Sequence, residues 1–292
     1  MCDDNTFNDS NKYLSRKDDL TRREFGALTI GTGLTLLLPR AANAQDVVEA
    51  DIEVATLDGR ADCYFVHPAA GAHPGVLIWP DAMGLRPAFR MMGRRLAESG
   101  YSVLVVNPYY RSRRAPILPA GVTFQDPGVR EQVMPLMGSL SPTTHLTDAR
   151  AFVSFLDDQA AVDSGRMMGT MGYCMGGPIT MRTAAARPDR IGAGASFHGG
   201  GLVTDAPNSP HRLVPNMRAQ YLFAIAANDD ERDPEAKNVL RETYAASELP
   251  AEIEVYDGTL HGWCPPDSAV YNEPQAERAW SRLLALFESA LA

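Results

Sequence analysis

The amino-acid sequence predicts an α/β fold with a mostly parallel central sheet covered by helices on both faces. Short β-type runs alternate with helical segments from residue 45 onward, which is the pattern of strands joined by crossover helices. A hydrophobic fraction of 45% and a charged fraction of 22% are ordinary for a globular protein. The sequence shows no internal repeat, so a single domain accounts for residues 45–292.

Eight strands and five helices are predicted in chain order. The predicted strands are residues 52–57, 63–67, 74–79, 101–107, 166–172, 191–197, 220–227 and 251–256. The predicted helices are residues 88–98, 146–159, 177–186, 234–247 and 274–291. Residues 111–145 carry five prolines and show little periodicity, so this long connection is expected to border a site.

The first 44 residues are expected to form a twin-arginine-type signal peptide that lies outside the fold. Arg22 and Arg23 precede a weakly apolar run, residues 26–38, that is too short to span a bilayer. Residues 42–44, Ala-Asn-Ala, supply a cleavage site, and the whole layout resembles an export signal for folded proteins. An ordinary first helix with solvated arginines is the alternative. We therefore expect a periplasmic or secreted domain without stable membrane insertion.

Charge and cysteine content narrow the class of protein further. A formal net charge of −9 gives no electrostatic reason to bind nucleic acid, which rewards clustered Lys and Arg. Only Cys63, Cys174 and Cys264 of the four cysteines fall in the predicted mature chain, which excludes a disulfide framework. Cys63 and Cys264 are expected to be free and packed, and their pairing in an oxidising compartment is the alternative.

Residues 172–177, Gly-Tyr-Cys-Met-Gly-Gly, lie between a predicted strand and a predicted helix and indicate a nucleophile elbow. In this strained turn, glycines two residues before and two residues after Cys174 clear the neighbouring backbone. The N-terminus of the following helix favours the thiolate and supplies the Met175 N–H to a developing oxyanion. A buried structural cysteine beside helix-packing glycines is the alternative. The elbow predicts an α/β-hydrolase fold with Cys174 as the nucleophile.

An acid and a histidine follow Cys174 in the order that this fold requires, which is nucleophile, acid, base. Asp229 lies just past the predicted strand 220–227, and His261 lies just past the last predicted strand. The carboxyl ends of parallel strands meet at one edge of the sheet, where open α/β folds bind their ligands. Position favours Asp229 over Asp230 as the acid that orients His261. A solvated acid and a surface histidine are the alternatives.

From about Gly75 to the C-terminus the sequence resembles the dienelactone hydrolase family, the carboxymethylenebutenolidases. The matching segments are residues 79–84, 109–111, 172–177, 227–229 and 258–263. The resemblance implies an α/β-hydrolase fold with a Cys-Asp-His triad, which here is Cys174, Asp229 and His261.

The same resemblance gives roles to four further residues. Asp81 stands where the family has a glutamate that contacts the resting thiol, and the Ala82 N–H completes the oxyanion hole. Arg111 matches an arginine that binds the substrate's carboxylate through its fork geometry. Trp263 closes the matching histidine loop and is expected to contact the substrate. Asp81 is one methylene shorter than glutamate, and Pro265 replaces a second substrate-binding arginine, so dienelactone itself is not assigned as the substrate.

Together these residues predict a hydrolase that cleaves a small carboxylic ester or enol-lactone through a thiolester on Cys174, without a metal or organic cofactor. His198 is expected near the site in a functional or a structural role. Two other classes stay open, a noncatalytic exported binding protein and a cysteine-based acyltransferase or thioesterase, because the triad does not specify the acyl acceptor. The expected partners are the small-molecule substrate and the twin-arginine export machinery, and the chain is expected to be a monomer.

Overall fold

A central sheet of eight strands organises the protein in the computed structural model. The structure describes residues 4–21 and 44–292, with the side chains of residues 6–15 in the first segment. The strands are β1 (Val47–Thr56), β2 (Gly59–Pro68), β3 (Gly75–Trp79), β4 (Ser102–Val106), β5 (Met168–Tyr173), β6 (Ile191–Phe197), β7 (Gln220–Ala226) and β8 (Ala251–Tyr256). Their spatial order is β1-β2-β4-β3-β5-β6-β7-β8. β2 pairs antiparallel with β1 and with β4, and all other pairs are parallel, so the sheet is mostly parallel as predicted.

Helices cover both faces of this sheet. They are α1 (Asp4–Thr21), α2 (Pro87–Glu98), α3 (Val129–Gly138), α4 (Pro142–Asp157), α5 (Gly176–Ala186), α6 (Ala227–Arg232), α7 (Ala236–Ala246) and α8 (Glu273–Ala290), with a 3-10 helix at Pro210–Asn216. None of the helices in the described ranges combines the length and the apolar character needed to cross a membrane.

Alternation along the buried strands divides the core into two layers. On β3, Leu77 belongs to a cluster with Phe152 of α4, whereas Ile78 belongs to a second cluster with Phe89 of α2. Successive side chains of a strand point to opposite faces, so a strand with helices on both sides must be apolar throughout. This packing places the carboxyl ends of β3, β5, β7 and β8 at one edge of the sheet.

Two helices within residues 44–292 lie where the sequence predicted none. α3 falls inside the segment interpreted as a long irregular connection, and Pro135 within it hid the pattern. Its buried residues are nevertheless spaced at helical intervals, as Val129, Val133 and Leu136 show. α6 is a six-residue helix rich in acidic side chains, without a hydrophobic stripe to reveal it.

The cysteines other than Cys174 in residues 44–292 are buried in the core. Cys63 and Cys264 are free and buried in different core clusters, one on each face of the sheet, which separates the two thiols. Residues 22–43, which carry the arginine pair and the apolar run of the predicted signal peptide, lie outside the described residues.

Candidate active site

The nucleophile elbow lies between β5 and α5, with Cys174 at the turn. Cys174 has a φ of 53°, a left-handed conformation that residues with side chains rarely adopt away from functional sites. Its N–H donates to the Phe197 carbonyl at 3.0 Å, and its own carbonyl accepts from the Gly177 N–H at 3.1 Å. These bonds hold the strained turn in place. The thiol is buried and lines a cavity with His261 and Asp81.

Two glycines beside Cys174 have no room for a side chain. A Cβ on Gly172 would lie 2.3 Å from the Gly176 carbonyl oxygen, and a Cβ on Gly176 would lie 2.4 Å from the Trp79 carbonyl oxygen. Both obstacles are backbone atoms, which cannot move without displacing a strand or a helix. The predicted requirement for glycine at these positions is therefore confirmed. The close approach at Gly176 also brings the start of α5 against the end of β3.

The structure brings Asp229, and not Asp230, to His261. Asp229 Oδ2 lies 2.7 Å from His261 Nδ1, although the two residues follow different strands. Asp230 pairs instead with Lys237, whose Nζ lies 2.6 Å from its carboxylate. Asn228 fixes the histidine loop, because its Oδ1 accepts from the His261 N–H at 2.8 Å. The start of α6 therefore holds both the backbone and the ring of His261.

The His261 ring is hydrogen-bonded to Asp229 on one side and to Cys174 on the other. Burial alone would lower the pKa of His261, but the charges of the Asp229 carboxylate and the Cys174 thiolate outweigh burial and raise that pKa to about 10. The imidazolium is therefore favoured at His261 when Cys174 is a thiolate.

His198 is a second buried imidazole in the same cavity. Its ring centroid lies 4.9 Å from that of His261 in an edge-to-face arrangement. Within the described part of the chain, neither ring nitrogen of His198 has a hydrogen-bond partner. Burial, followed by the charge of His261, lowers the pKa of His198 well below its ordinary value, so this ring is neutral. A neutral imidazole that faces the cavity can donate or accept a hydrogen bond with a substrate.

Asp81 lines the cavity, but its carboxylate is held by Arg86. Arg86 Nη1 and Nη2 lie 2.7 Å and 2.9 Å from the two Asp81 oxygens, and Arg86 Nε lies 2.7 Å from Asp267. Burial raises the pKa of Asp81, the charge of Arg86 opposes this, and the Cys174 thiolate adds to the rise. Asp81 is thus close enough to Cys174 for the charges of the two groups to interact, while Arg86 fixes the orientation of the Asp81 carboxylate.

The residues of the proposed oxyanion hole are joined by Tyr109. Ala82 lines the cavity at the end of β3, and Met175 follows Cys174 at the start of α5. The Tyr109 hydroxyl lies 2.8 Å from the Ala82 carbonyl oxygen and 3.1 Å from Met175 Sδ. Tyr109 itself is 1% exposed, so its buried hydroxyl links the segment that carries Ala82 to the segment that carries Met175.

Two residues that were predicted to contact the substrate do not line this cavity. Arg111 forms a bidentate ion pair with the buried Asp148, at 2.6 Å and 2.8 Å, and its Nε lies 2.9 Å from Asp58. Two carboxylates thus occupy its fork, and Arg111 lies outside the lining of the cavity that holds Cys174. Trp263 is 0% exposed and stacks on Tyr256 with ring centroids 4.8 Å apart. It supports the histidine loop from within the core.

The helix α1, which lies within the predicted signal peptide, lies over the cavity. Thr6 and Ser10 line the cavity and are 4% and 1% exposed. Asp9, on the same face of α1, accepts from Asn228 Nδ2 at 3.1 Å and pairs with Arg232. The cavity left beneath α1 measures about 50 Å³. This volume is smaller than the roughly 150 Å³ that accommodates benzene.

The chemistry available in this cavity is nucleophilic acyl transfer. The side chains of Cys174, His261 and Asp229 are connected in series, an arrangement that suits a nucleophile, a base and an orienting acid. Within residues 4–21 and 44–292, no cluster of three or more His, Cys, Asp or Glu side chains is arranged to hold a metal ion.

Comparison with known proteins places this geometry in a family. A model of the dienelactone hydrolase family matches residues 61–291. The chain belongs to the dienelactone hydrolase family. The carboxymethylenebutenolidase of Rhodococcus opacus is 25% identical to it over 236 residues, which cover 78% of this chain and 86% of that relative. A relative from Methylorubrum extorquens is 24% identical over 284 residues, which cover 93% of this chain and 94% of its own.

Solved structures show the same fold for this dienelactone hydrolase family member. The dienelactone hydrolase from Anabaena variabilis superposes with a TM-score of 0.60 at 16% identity, covering 84% of this chain and 99% of that chain. The dienelactone hydrolase-like promiscuous phosphotriesterase P91, from metagenomic libraries, superposes with a TM-score of 0.67 at 19% identity and the same coverage. The α/β-hydrolase fold predicted from the sequence is therefore confirmed. The family match shows that the protein is a hydrolase.

Sequence reasoning missed Arg86, Tyr109 and the cavity-lining residues of α1. Arg86 carried one usable signal, because it precedes Pro87 at the start of α2, only five residues after Asp81. The Tyr109 position was within a matching segment, but no sequence feature indicated where its hydroxyl points. Thr6 and Ser10 precede the arginine pair, in a segment whose composition suggested no packing.

Proposed function

We propose that the protein hydrolyses a small carboxylic ester or enol-lactone through a Cys174-His261-Asp229 triad and a thiolester acyl-enzyme. The observation that carries this proposal is the His261 ring, which bonds Asp229 at 2.7 Å and also bonds Cys174. The name of the relative from Rhodococcus opacus, carboxymethylenebutenolidase, supports the ester or lactone class of substrate.

In the first half of the reaction, the Cys174 thiolate attacks the substrate's carbonyl carbon. The carbonyl oxygen gains negative charge and is received by the N–H groups of Met175 and Ala82. As the tetrahedral intermediate collapses, the bond to the leaving oxygen breaks and His261 Nε2 donates its proton to that oxygen. The products of this half are the free alcohol, or the opened enol of a lactone, and a thiolester on Cys174.

In the second half, water hydrolyses the thiolester. His261, now neutral, takes a proton from the water as it attacks the acyl carbon, and the same N–H groups receive the oxyanion. Collapse releases the carboxylic acid and restores the thiolate and the imidazolium. Asp229 holds Nδ1 throughout, so that Nε2 faces the reacting atoms.

A short-chain p-nitrophenyl ester assay tests the proposal. Cys174→Ala should lower kcat by at least about 10³-fold, while the matched variants Cys63→Ala and Cys264→Ala, which remove thiols buried elsewhere, should keep near-normal kcat. Mass spectrometry of the quenched wild-type reaction should find the acyl group on Cys174. Unchanged turnover by Cys174→Ala would overturn the nucleophile. Release of an acyl ester in place of the free acid, when an alcohol is added at millimolar concentration, would favour the acyltransferase alternative.

We also propose that the chain is exported to the periplasm or secreted after folding and is cleaved after Ala44. The support is the order of the arginine pair, the apolar run and the cleavage site in the sequence. N-terminal sequencing of the periplasmic protein should begin near Gln45. Replacing Arg22 and Arg23 by lysine should retain the chain in the cytosol, and export of that variant at the normal level would contradict a twin-arginine route.

A further inference from the structure

A second cavity, of about 360 Å³, lies beside α5 and is lined mainly by apolar side chains. Met134, Met137 and Leu140 line it from α3 and the segment after α3, and Ile179 lines it from α5. Its volume falls in the range of roughly 300–1,000 Å³ that is usual for sites that bind small molecules. None of its lining residues is acidic.

One cation lies in this apolar cavity without a carboxylate partner. Arg182 is 8% exposed, and no Asp or Glu of the described residues lies within ion-pair distance of its guanidinium. Among the described residues its hydrogen bonds are long, 3.4 Å to the Pro178 carbonyl and 3.5 Å to the Asn208 carbonyl, and its Nε has no acceptor. An arginine remains charged in proteins, and a buried charge is costly unless an opposite charge meets it.

His145 lies beside Arg182 in the same cavity. Both of its ring nitrogens are buried without hydrogen-bond partners in the described part of the chain. Burial, with the charges of Arg182 and Arg111, lowers the pKa of His145 to about 3, so the ring is neutral at neutral pH. A neutral imidazole has one N–H to donate, and His145 lines the same cavity as the Arg182 guanidinium.

This cavity is separate from the one that holds Cys174, because no described residue lines both. Met175, Pro178, Ile179 and Arg182 follow the spacing of a single helical face along α5. Arg182 comes seven residues after Met175, which places it about 10 Å along the helix from the elbow. The site is therefore next to the catalytic centre, and Met175, whose N–H is assigned to the oxyanion hole, lies at the border between the two.

We propose that this second cavity binds an apolar monocarboxylate, whose carboxylate is received by Arg182 and His145 and whose hydrocarbon part packs on α3 and α5. The guanidinium fork matches the two oxygens of a carboxylate, and the acid-free lining leaves the ligand as the counter-charge. The methionines at the cavity wall suit a flexible hydrocarbon body. This inference does not depend on the proposed function of Cys174.

Calorimetric titration of the full chain with octanoate and with octanamide tests the proposal, because the two ligands share a hydrocarbon chain and differ in charge. Octanoate should bind about 10- to 100-fold more tightly than octanamide, as expected for a charge-assisted contact. Equal affinities for the two ligands, or no measurable binding of octanoate at millimolar concentration, would overturn the proposal. This comparison needs no variant, so it decides the matter even if a substitution prevents folding.

Variants then locate the binding site. Arg182→Met should reduce the affinity for octanoate to that for octanamide, and His145→Phe should reduce it by a smaller factor. Arg212→Met removes an exposed arginine from the nearby 3-10 helix and should leave the affinity unchanged. Octanoate binding by a folded Arg182→Met protein at the wild-type affinity would show that the carboxylate is received elsewhere.

Discussion

Asp229 Oδ2 and His261 Nδ1 lie 2.7 Å apart, whereas the neighbouring Asp230 is bound to Lys237 at 2.6 Å. Two adjacent carboxylates thus have different partners, and only one of them can orient the histidine. Two further residues hold this pair in place. Asn228 Oδ1 accepts from the His261 N–H, and Arg232 Nη1 lies 3.6 Å from Asp229.

Asp229→Asn is expected to lower kcat by about 10²- to 10⁴-fold, because an amide neither stabilises the imidazolium nor fixes the Nδ1–H tautomer. The matched control is Asp230→Asn, which removes the same charge one residue away and should keep kcat within about twofold. Steady-state kinetics with a p-nitrophenyl ester measures both. Equal losses in the two variants would assign the effect to local folding of α6.

The pH dependence follows from the raised pKa of His261. The imidazolium donates a proton to the leaving group, so kcat/KM of the wild-type enzyme should hold through neutral pH and fall as pH rises through about 10. Since this pKa lies above the unfolded value of about 6.5, the stability from the pair is complete below that pH and is lost towards pH 10. In Asp229→Asn the alkaline fall should move to lower pH. An alkaline fall at the same pH in Asp229→Asn as in the wild-type enzyme would contradict the effect of Asp229 on the pKa of His261.

Arg86→Met should destabilise the protein by about 3–5 kcal/mol, because it leaves the buried Asp81 carboxylate without its counter-ion. Arg90→Met, also on α2, is the matched control. This substitution breaks an exposed ion pair with Asp51, so the free energy of unfolding should fall by less than about 1 kcal/mol. Urea unfolding at neutral pH measures both. Similar losses of unfolding free energy in the two variants would show that the Asp81 carboxylate does not need Arg86 as its counter-ion.

Tyr109→Phe should lower kcat by about 2- to 10-fold with little change in KM, because one hydrogen bond between the two oxyanion segments is lost. Tyr244→Phe is a suitable control, since the buried Tyr244 hydroxyl has no hydrogen-bond partner among the described residues. A rise in KM without a change in kcat would mean that Tyr109 acts in ground-state binding alone.

A chain that begins at Gln45 should have a kcat/KM at least about tenfold above that of the full-length chain, because α1 must leave before an ester can enter the cavity. Asp9→Ala in the full-length chain should move kcat/KM towards that of the shorter chain, since Asp9 binds Asn228 and Arg232. Asn8→Ala, at an exposed neighbouring position, should not. Equal kcat/KM for the two chain lengths would contradict a closed site.

The sequence by itself determined the fold class, the elbow at Cys174 and the order of acid and base along the chain. Each of these features depends on residues that are close together in the sequence. Buried parallel strands are apolar along their whole length, the elbow needs glycine at Gly172 and Gly176 to clear backbone atoms, and the polar groups follow the strand ends. Such local patterns can be recognised without knowing which distant residues they contact.

Only the tertiary structure decided which charged side chains meet. Arg86 and Asp267 are 181 residues apart, and Arg111 reaches Asp148 across 37 residues, so no spacing in the sequence could show that Arg86 has a second carboxylate partner or that the fork of Arg111 is occupied. For the same reason, the sequence could not show that Arg182 has no carboxylate partner among the described residues. A long side chain on a helix can turn towards several neighbours, and packing alone selects the one it contacts.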